Sequence, residues 1–410
     1  MGLQTAHPSM AITHLQAGWY LWLGRNKSKR EDYGGALTCY ERVLHFFPKH
    51  LRALANLGNC LDHQGRYAEA IDFYGRALQQ RPDYPDVHAR LGVIFCHLQR
   101  YQESVDSLNR AFRMKRSLKK VSCFGVTFAI SLAYLGKTTD ALEAYKAAAE
   151  HNPRDTKALA GLGWALLDLG NYADAELPLR TAIKLEPGYG KPYLHLSFVL
   201  GGLGKYDESL LVAEQFAALE PENPLAHSNV GWLLSETDRQ GEAALAYERA
   251  IELNPSFANA YCELGRIRER LGQYQQAIDA EERALSLGQD PLAYCVMGLA
   301  LQKQGNHERS IYFSEKATEF RPHFCEAWNS LGEAHLAMGQ LEKAVACFGK
   351  VLELAPATPE VAELRLQIGN IQLKLGNTEA AQNQYQLLDA MGSDKASELR
   401  DAIAHLRCDA

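Results

Sequence analysis

The residues most able to do chemistry are thinly spread. Nine cysteines (Cys39, Cys60, Cys96, Cys123, Cys262, Cys295, Cys325, Cys347 and Cys408) form no CxxC pair. The fourteen histidines recur at no ligand spacing. A zinc site draws Cys and His from short fixed intervals, so no metal is expected. An odd, scattered set of cysteines fits reduced, half-buried residues of a cytosolic protein. His307-Glu308 opens like a zinc-protease helix, but Ile311 stands where the second His belongs. No GxxxxGK[ST] phosphate loop occurs, and no catalytic residue or cofactor is expected. The run Arg113-Met114-Lys115-Arg116-Ser117-Leu118-Lys119-Lys120 is strongly basic. It could touch a phosphate backbone or an acidic protein surface. The plainer reading is a solvated helix end with cations near the last carbonyls. No aromatic interleaving supports a platform for single strands.

Composition bounds the class. The chain has 410 residues, 47% of them hydrophobic, which rules out wholesale disorder. Lys plus Arg number 43 against 49 Asp plus Glu, a net charge of −6, so a globally basic nucleic-acid binder is not expected. No run approaches the roughly 18 apolar residues of a membrane span. The N-terminus shows no basic segment followed by an apolar run, and Ala6 stands where a myristoylation site wants Ser or Thr. A cytoplasmic chain without membrane insertion is the expectation.

The elements that position all these residues come from a repeat. Residues 51–84 and 156–189 superimpose without a gap over 34 residues. The same frame holds at 17–50, 85–118, 122–155, 190–223, 224–257, 258–290, 291–324, 325–358 and 362–395, making eleven repeats. Extra residues fall at 119–121 and 359–361, and one is missing near Gly288. Each repeat reads as two helices. Leu54, Leu57 and Leu61, at the fourth, seventh and eleventh places, share one face of the first. Gly65 stops it, and the second runs from about Tyr67 to Gln79. Pro48, Pro82, Pro153, Pro187, Pro221, Pro255, Pro322 and Pro356 then punctuate the repeats. The cluster Gly201-Gly202-Leu203-Gly204 falls at such a turn, not at a phosphate cradle. His63 and His195 lie on first helices, as solvated or groove-lining rings.

Small residues recur in phase. The eighth place is Gly except for Ala129 and Ser197, and the twentieth is Ala, or Ser at 104, 209 and 310. A Gly inside a helix costs about 1 kcal/mol relative to Ala, so its recurrence implies a compensating close approach of two helix axes.

With Leu57, Gly58, Tyr67, Ala70, Tyr74, Ala77 and Pro82 in phase, the chain resembles the tetratricopeptide repeat proteins over about residues 17–395. Arg116, Ala129 and Thr138 depart from that pattern. The resemblance implies an all-α, right-handed superhelical solenoid of antiparallel helical hairpins. One repeat cannot bury its own apolar faces; a stack can. Residues 394–410 are expected to form a C-terminal capping helix, with Ala396, Leu399, Ile403 and Leu406 on one face and Arg400 and Asp401 opposite. Residues 1–16 are expected to be an N-terminal segment, partly disordered.

The resemblance also places the second, fifth, sixth, ninth, twelfth and thirteenth residues of each repeat on a concave groove. In the first three repeats this zone is polar and partly basic: Arg25, Arg52, Asn56, Asn59, Arg90 and His97. Some relatives clamp a peptide carboxylate there with Lys, Asn, Asn, Lys and Arg. Asn59 and Arg90 fit that clamp loosely, while Leu21 and Asp86 do not, so a general anionic preference is expected. In the fourth to seventh repeats the ninth place is Ile130, Trp164, Phe198 and Trp232. Their 34-residue spacing predicts an aromatic column, either facing the groove or tucked between first helices. Asn56 and Asn229 alone hold Asn at the sixth place, so no substrate-tracking ladder is expected. Toward the C-terminus the zone turns charged, with Glu263, Arg266, Glu269, Arg270, Lys303 and Glu333. The stretch 121–135 is apolar on nearly every side and is expected to be buried all round, as the place of a change in superhelix geometry or of a contact with another chain.

The function expected is a non-enzymatic adaptor or scaffold holding a protein or peptide in its groove, with no nucleic acid. The competing readings are a substrate-presenting arm of a separate enzyme subunit and a self-assembling scaffold. Oligomeric state is not readable from the sequence.

Overall fold

The computed structural model describes residues 8–288, 291–355 and 361–408, and among them every regular element is helical. The chain divides into two compact units, residues 1–212 and 213–410. In the first, α1 (Pro8–Lys29) pairs with α2 (Tyr33–Phe46), α3 (Leu51–His63) with α4 (Tyr67–Gln80), and α5 (Pro85–His97) with α6 (Tyr101–Met114). A 3-10 turn (Arg116–Lys120) precedes α7 (Ser122–Tyr134) and α8 (Thr138–His151). Then come α9 (Thr156–Asp168), α10 (Tyr172–Leu185), α11 (Gly190–Gly202) and α12 (Tyr206–Leu219), within which the first unit ends. The second unit continues with α13 (Pro224–Glu236), α14 (Gln240–Leu253), α15 (Ala258–Arg270), α16 (Tyr274–Leu287), α17 (Pro291–Lys303) and α18 (His307–Phe320). It closes with α19 (Cys325–Ala337), α20 (Leu341–Leu354), α21 (Val361–Lys374), α22 (Thr378–Ala390) and α23 (Lys395–Cys408).

Within each unit the helices form antiparallel hairpins, and each second helix packs on the next first helix. First helices also touch first helices: α3 with α5, α5 with α7 and α7 with α9 in the first unit, α15 with α17 and α17 with α19 in the second. They form the closer-spaced layer of each stack. At the N-terminus the fold departs from expectation. α1 starts at Pro8, so residues 8–16 prolong the first helix instead of forming a separate segment; residues 1–7 lie outside the described ones.

The fifteenth place of every repeat turns left-handed. Eight glycines hold it, Gly65 at φ +73° among them, but so do Glu31, Gln99 and Asp238, at φ +62°, +59° and +60°. The turn closes the first helix with a paired bond: Gly65 N–H donates to Asp62 O at 3.0 Å and Arg66 N–H to Leu61 O at 2.9 Å. Gln99 and Arg100 repeat it on Cys96 and Phe95. A side chain there costs about 1 kcal/mol that glycine does not. Gln99→Gly should therefore raise the thermal midpoint; a lowered midpoint would show that the Gln99 side chain contributes more than the strain removes.

The recurring glycine of the first helix has a different partner from the one its spacing suggests. A Cβ at Gly58 would lie 2.7 Å from the Tyr74 ring, at Gly163 2.4 Å from Leu179 Cγ, and at Gly332 2.5 Å from the Phe348 ring. In these three repeats the eighth place is a slot for the large, buried side chain at the twenty-fourth; at Gly298 the neighbour is Ser314, and at Gly369 it is Leu399 of α23. The twentieth place does other work where it is Ser. Ser104 donates to Gly92 O at 2.7 Å, Ser209 to Ser197 O at 2.6 Å and Ser310 to Gly298 O at 2.8 Å. A buried hydroxyl without such a partner would be costly.

A second recurring bond joins successive hairpins. Rings at the fourth place reach back six residues to a proline carbonyl: Tyr193 to Pro187 at 3.0 Å and Trp328 to Pro322 at 2.8 Å. His88 and His227 pair likewise with Pro82 at 2.9 Å and Pro221 at 2.8 Å. The fourth place, read as apolar from Leu54, can therefore be a polar ring that satisfies the carbonyl where the second helix has ended. Pro356 lies outside the described residues.

At the far end α23 packs on α21 and α22. Ala396, Leu399 and Ile403 are buried with Leu366, Leu373, Ala381 and Leu388, while Arg400 and Asp401 face solvent. The Leu406 side chain lies outside the described residues.

Candidate functional site

The polar end of the first-helix layer is largely occupied by its own bonds. Asn59 Oδ1 accepts from the buried Tyr74 hydroxyl at 2.6 Å. Asn56 bonds Tyr40, whose hydroxyl burial pushes up to about 12. Arg90 Nη1 lies 3.8 Å from Asp62 Oδ2. Asp62 is mostly enclosed, and burial raises its carboxyl while Arg90, His63 and His97 oppose the rise. Arg90 thus has a counter-ion on the neighbouring hairpin. Arg52, on the first turn of α3, is exposed.

Along the same edge runs a ladder of rings linking hairpins. Tyr33 stacks on His63 with centroids 4.7 Å apart, Tyr67 on His97 at 5.7 Å, and Tyr101 on Tyr134 at 4.4 Å. In each pair the seventeenth place of one repeat meets the thirteenth of the next. Thr138 and Asp168 continue it as a hydrogen bond of 2.8 Å, and Tyr172 lies against Gly202. Tyr134 is 68% exposed and Cys123 is exposed too, so α7 is not buried all round. Its apolar faces fill the contacts with α5, α6, α8 and α9, and its two ends reach solvent.

The three aromatics at the ninth place are half-buried. Trp164 packs against the core of α7–α9, with Phe198 also in the first unit and Trp232 in the second. Asn229 is a correction: at 3% exposure it is a core residue and no part of a wall open to a partner. His195 also turns inward. Burial holds its imidazole down at about 4, Lys191 adds to this, and a bond to the Ala160 backbone opposes it. Its Nδ1 has no hydrogen-bond partner among the described residues. The ring stays neutral in the folded chain, whereas an unfolded His takes its proton near pH 6.5. Its contribution to stability is therefore intact above about pH 6.5 and lost as pH falls toward 4, roughly 3 kcal/mol at most. Urea midpoints should fall less over that range in His195→Gln than in the parent. Equal slopes would contradict the assignment.

Three exposed leucines escaped the sequence reading, two in the first unit and one in the second. Leu177, Leu211 and Leu245 are well exposed on the second helices α10, α12 and α14. All three hold the twenty-second place, where earlier repeats carry Asp72, Asp106 and Glu143. The in-phase switch from acid to Leu was the available signal.

With this geometry in hand, the relatives can be placed. Tetratricopeptide repeat models match residues 23–85, 126–189 and 199–256. Further tetratricopeptide repeat models match 63–116, 246–279, 292–324 and 324–387. The chain belongs to the tetratricopeptide repeat family. Tetratricopeptide repeat protein 33 of Xenopus laevis is 38% identical over 61 residues, which is 14% of this chain and 24% of that protein. The chain thus spans about a quarter of the length of that curated relative. Among solved structures, the APC/C hetero-tetramer Cut9-Hcn1 is 14% identical, with 94% of this chain and 96% of that one covered at a TM-score of 0.51, a likeness of fold alone. Yeast Tom70 is 13% identical, with 95% and 96% covered at a TM-score of 0.40. As a tetratricopeptide repeat chain the protein has the architecture of an interaction scaffold. No helix among its described residues is long and apolar enough to cross a membrane.

Proposed function

We propose that the chain is a non-enzymatic, cytoplasmic adaptor that holds a protein or peptide partner against its layer of first helices. The observation that carries this reading is the side-chain content of that layer. Stacking alone asks only for apolar and small residues there. The layer also presents Arg52, half-buried Asn56, Asn59 and Arg90, and the half-buried rings Trp164, Phe198 and Trp232. Half-buried aromatics on packed helices are typical anchors, Trp164 and Phe198 in the first unit and Trp232 in the second, and the basic residues of the first unit favour an acidic segment. Cysteines 39, 60, 96, 123, 262, 295, 325 and 347 are free thiols, which agrees with a reducing compartment.

The test is affinity purification from the native cell with the parent chain and with Trp232→Ala, followed by titration of the retained partner. Loss of one aromatic anchor should cost about 2 kcal/mol, which is more than tenfold in affinity. Helix content and melting should be nearly unchanged. If binding falls only in proportion to unfolding, Trp232 is a core residue and the site is elsewhere. The exposed leucines of the second helices favour self-association as a second reading, which growth of particle size with concentration in light scattering would support.

A further inference from the structure

The basic run that interrupts the repeat is a built feature of the surface. Leu118 N–H donates to Lys115 O at 3.0 Å and Val121 N–H to Leu118 O at 3.0 Å, closing the 3-10 turn. Leu118 is 4% exposed and packs with Ala111, Phe112 and Phe124. The Lys119 carbonyl lies so close to α7 that a Cβ at Gly125 would be 3.2 Å from it. An apolar anchor and a close backbone approach therefore hold the turn in place.

What the turn presents outward is charge. Arg113, Arg116, Lys119 and Lys120 are all exposed. Lys115 pairs with Asp86 at 3.3 Å; the other four have no ion pair among the described residues. In a chain of net charge −6 this is a local field against the overall sign. Val121, the N-cap of α7, makes no side-chain cap bond, and the acid at that end is Asp155, which accepts from the Ser122 hydroxyl on the α7 side of the turn. Met114 and Val121 expose apolar surface on either side of the turn.

We propose that this turn is a docking site for an acidic protein segment that carries an apolar residue, separate from the first-helix layer. Four exposed cations without an ion pair among the described residues select for carboxylates, and the flanking Met114 and Val121 select for a side chain that can leave water. No exposed aromatic stands in the turn for a base to stack on, which disfavours single-stranded nucleic acid. Two small apolar contacts without a lipid-inserting helix face disfavour a membrane.

The test titrates a fluorescein-labelled peptide of Glu and Asp with two central leucines into the full chain by fluorescence anisotropy. Binding should be saturable and should weaken at least about tenfold in Arg116→Glu/Lys119→Glu/Lys120→Glu, with an unchanged circular-dichroism spectrum. The variant Arg113→Gln/Lys120→Gln, which removes charge without adding acid, should lose affinity in the same direction but less. Raising salt from about 0.05 M to about 0.5 M should weaken the parent complex, and replacing the leucines by glycine should weaken it severalfold. Undiminished binding in the triple variant would overturn the proposal. So would equal affinity for the leucine-free peptide. Tighter binding of an oligothymidylate of equal charge, or of phosphatidylserine vesicles, would reassign the turn to another class of partner.

Discussion

Gly163→Leu should lower the unfolding midpoint more than any other point substitution considered above. A Cβ alone at this position would lie 2.4 Å from Leu179 Cγ and 2.6 Å from its Cδ2, inside contact distance. Leu179 is completely buried, so it has no solvent to move into. Overpacking of this kind costs about 1–3 kcal/mol and sometimes more, and a whole isobutyl group belongs at the upper end. Three companion substitutions separate overpacking from any general effect of replacing a helical glycine. Leu179→Ala in the same chain should restore part of the loss, because it empties the slot from the other side. Gly75→Ala and Gly349→Ala lie inside α4 and α20, where an added Cβ meets nothing within 4 Å. These should stabilise by up to about 1 kcal/mol through helix propensity. Chemical denaturation of the parent and these four variants decides it. If Gly163→Leu matches the parent, or if all these glycine substitutions shift stability alike, the slot account is wrong.

Removal of residues 394–410 should have the second large effect, confined to the last hairpin. It takes away Ala396, Leu399 and Ile403 and uncovers Leu373 and Leu388, all buried in the intact chain. Gly369 opens directly onto Leu399, at 2.5 Å from an added Cβ, so α21 is shaped to receive α23. Burying a Leu or Ile side chain contributes about 1.5–3 kcal/mol. A stack whose contacts run only between neighbours transmits such a loss weakly. The expected result is fast amide exchange in α21 and α22 and earlier aggregation, with the first unit unchanged. A truncated chain as soluble and as slowly exchanging as the parent would contradict it.

The period was legible because most hairpins repeat the same contact. The glycine at the eighth place, the left-handed turn at the fifteenth and the proline after the second helix are local demands, each visible in one residue type. The partner of that glycine was not legible, because Tyr74 or Leu179 lies sixteen residues on and is one of several large residues in its helix. The wall was read less well than the fold. Whether Arg90 is free depends on Asp62, and whether Asn56 is free depends on Tyr40, pairs that belong to different hairpins. Asn229 holds the same sixth place as Asn56, yet one is buried and the other half-buried. A place in the repeat sets a direction; its depth depends on the size of the neighbours above and below. The exposed row of Leu177, Leu211 and Leu245 went unread for the opposite reason. Leucine at helical spacing reads as core, and only comparison with Asp72 and Asp106 in phase shows that it faces outward.

Hydroxyl-radical footprinting of the chain, alone and saturated with the partner it retains, tests the central claim most directly, because it reads side-chain accessibility on both layers in one measurement. The two candidate surfaces carry different reporters, Trp164, Phe198 and Trp232 on first helices and Leu177, Leu211 and Leu245 on second helices. Binding against the first-helix layer predicts strong protection of the three aromatics with the three leucines oxidised as before. Protection confined to the leucines, with the aromatics unchanged, would contradict it and place the partner on the second helices.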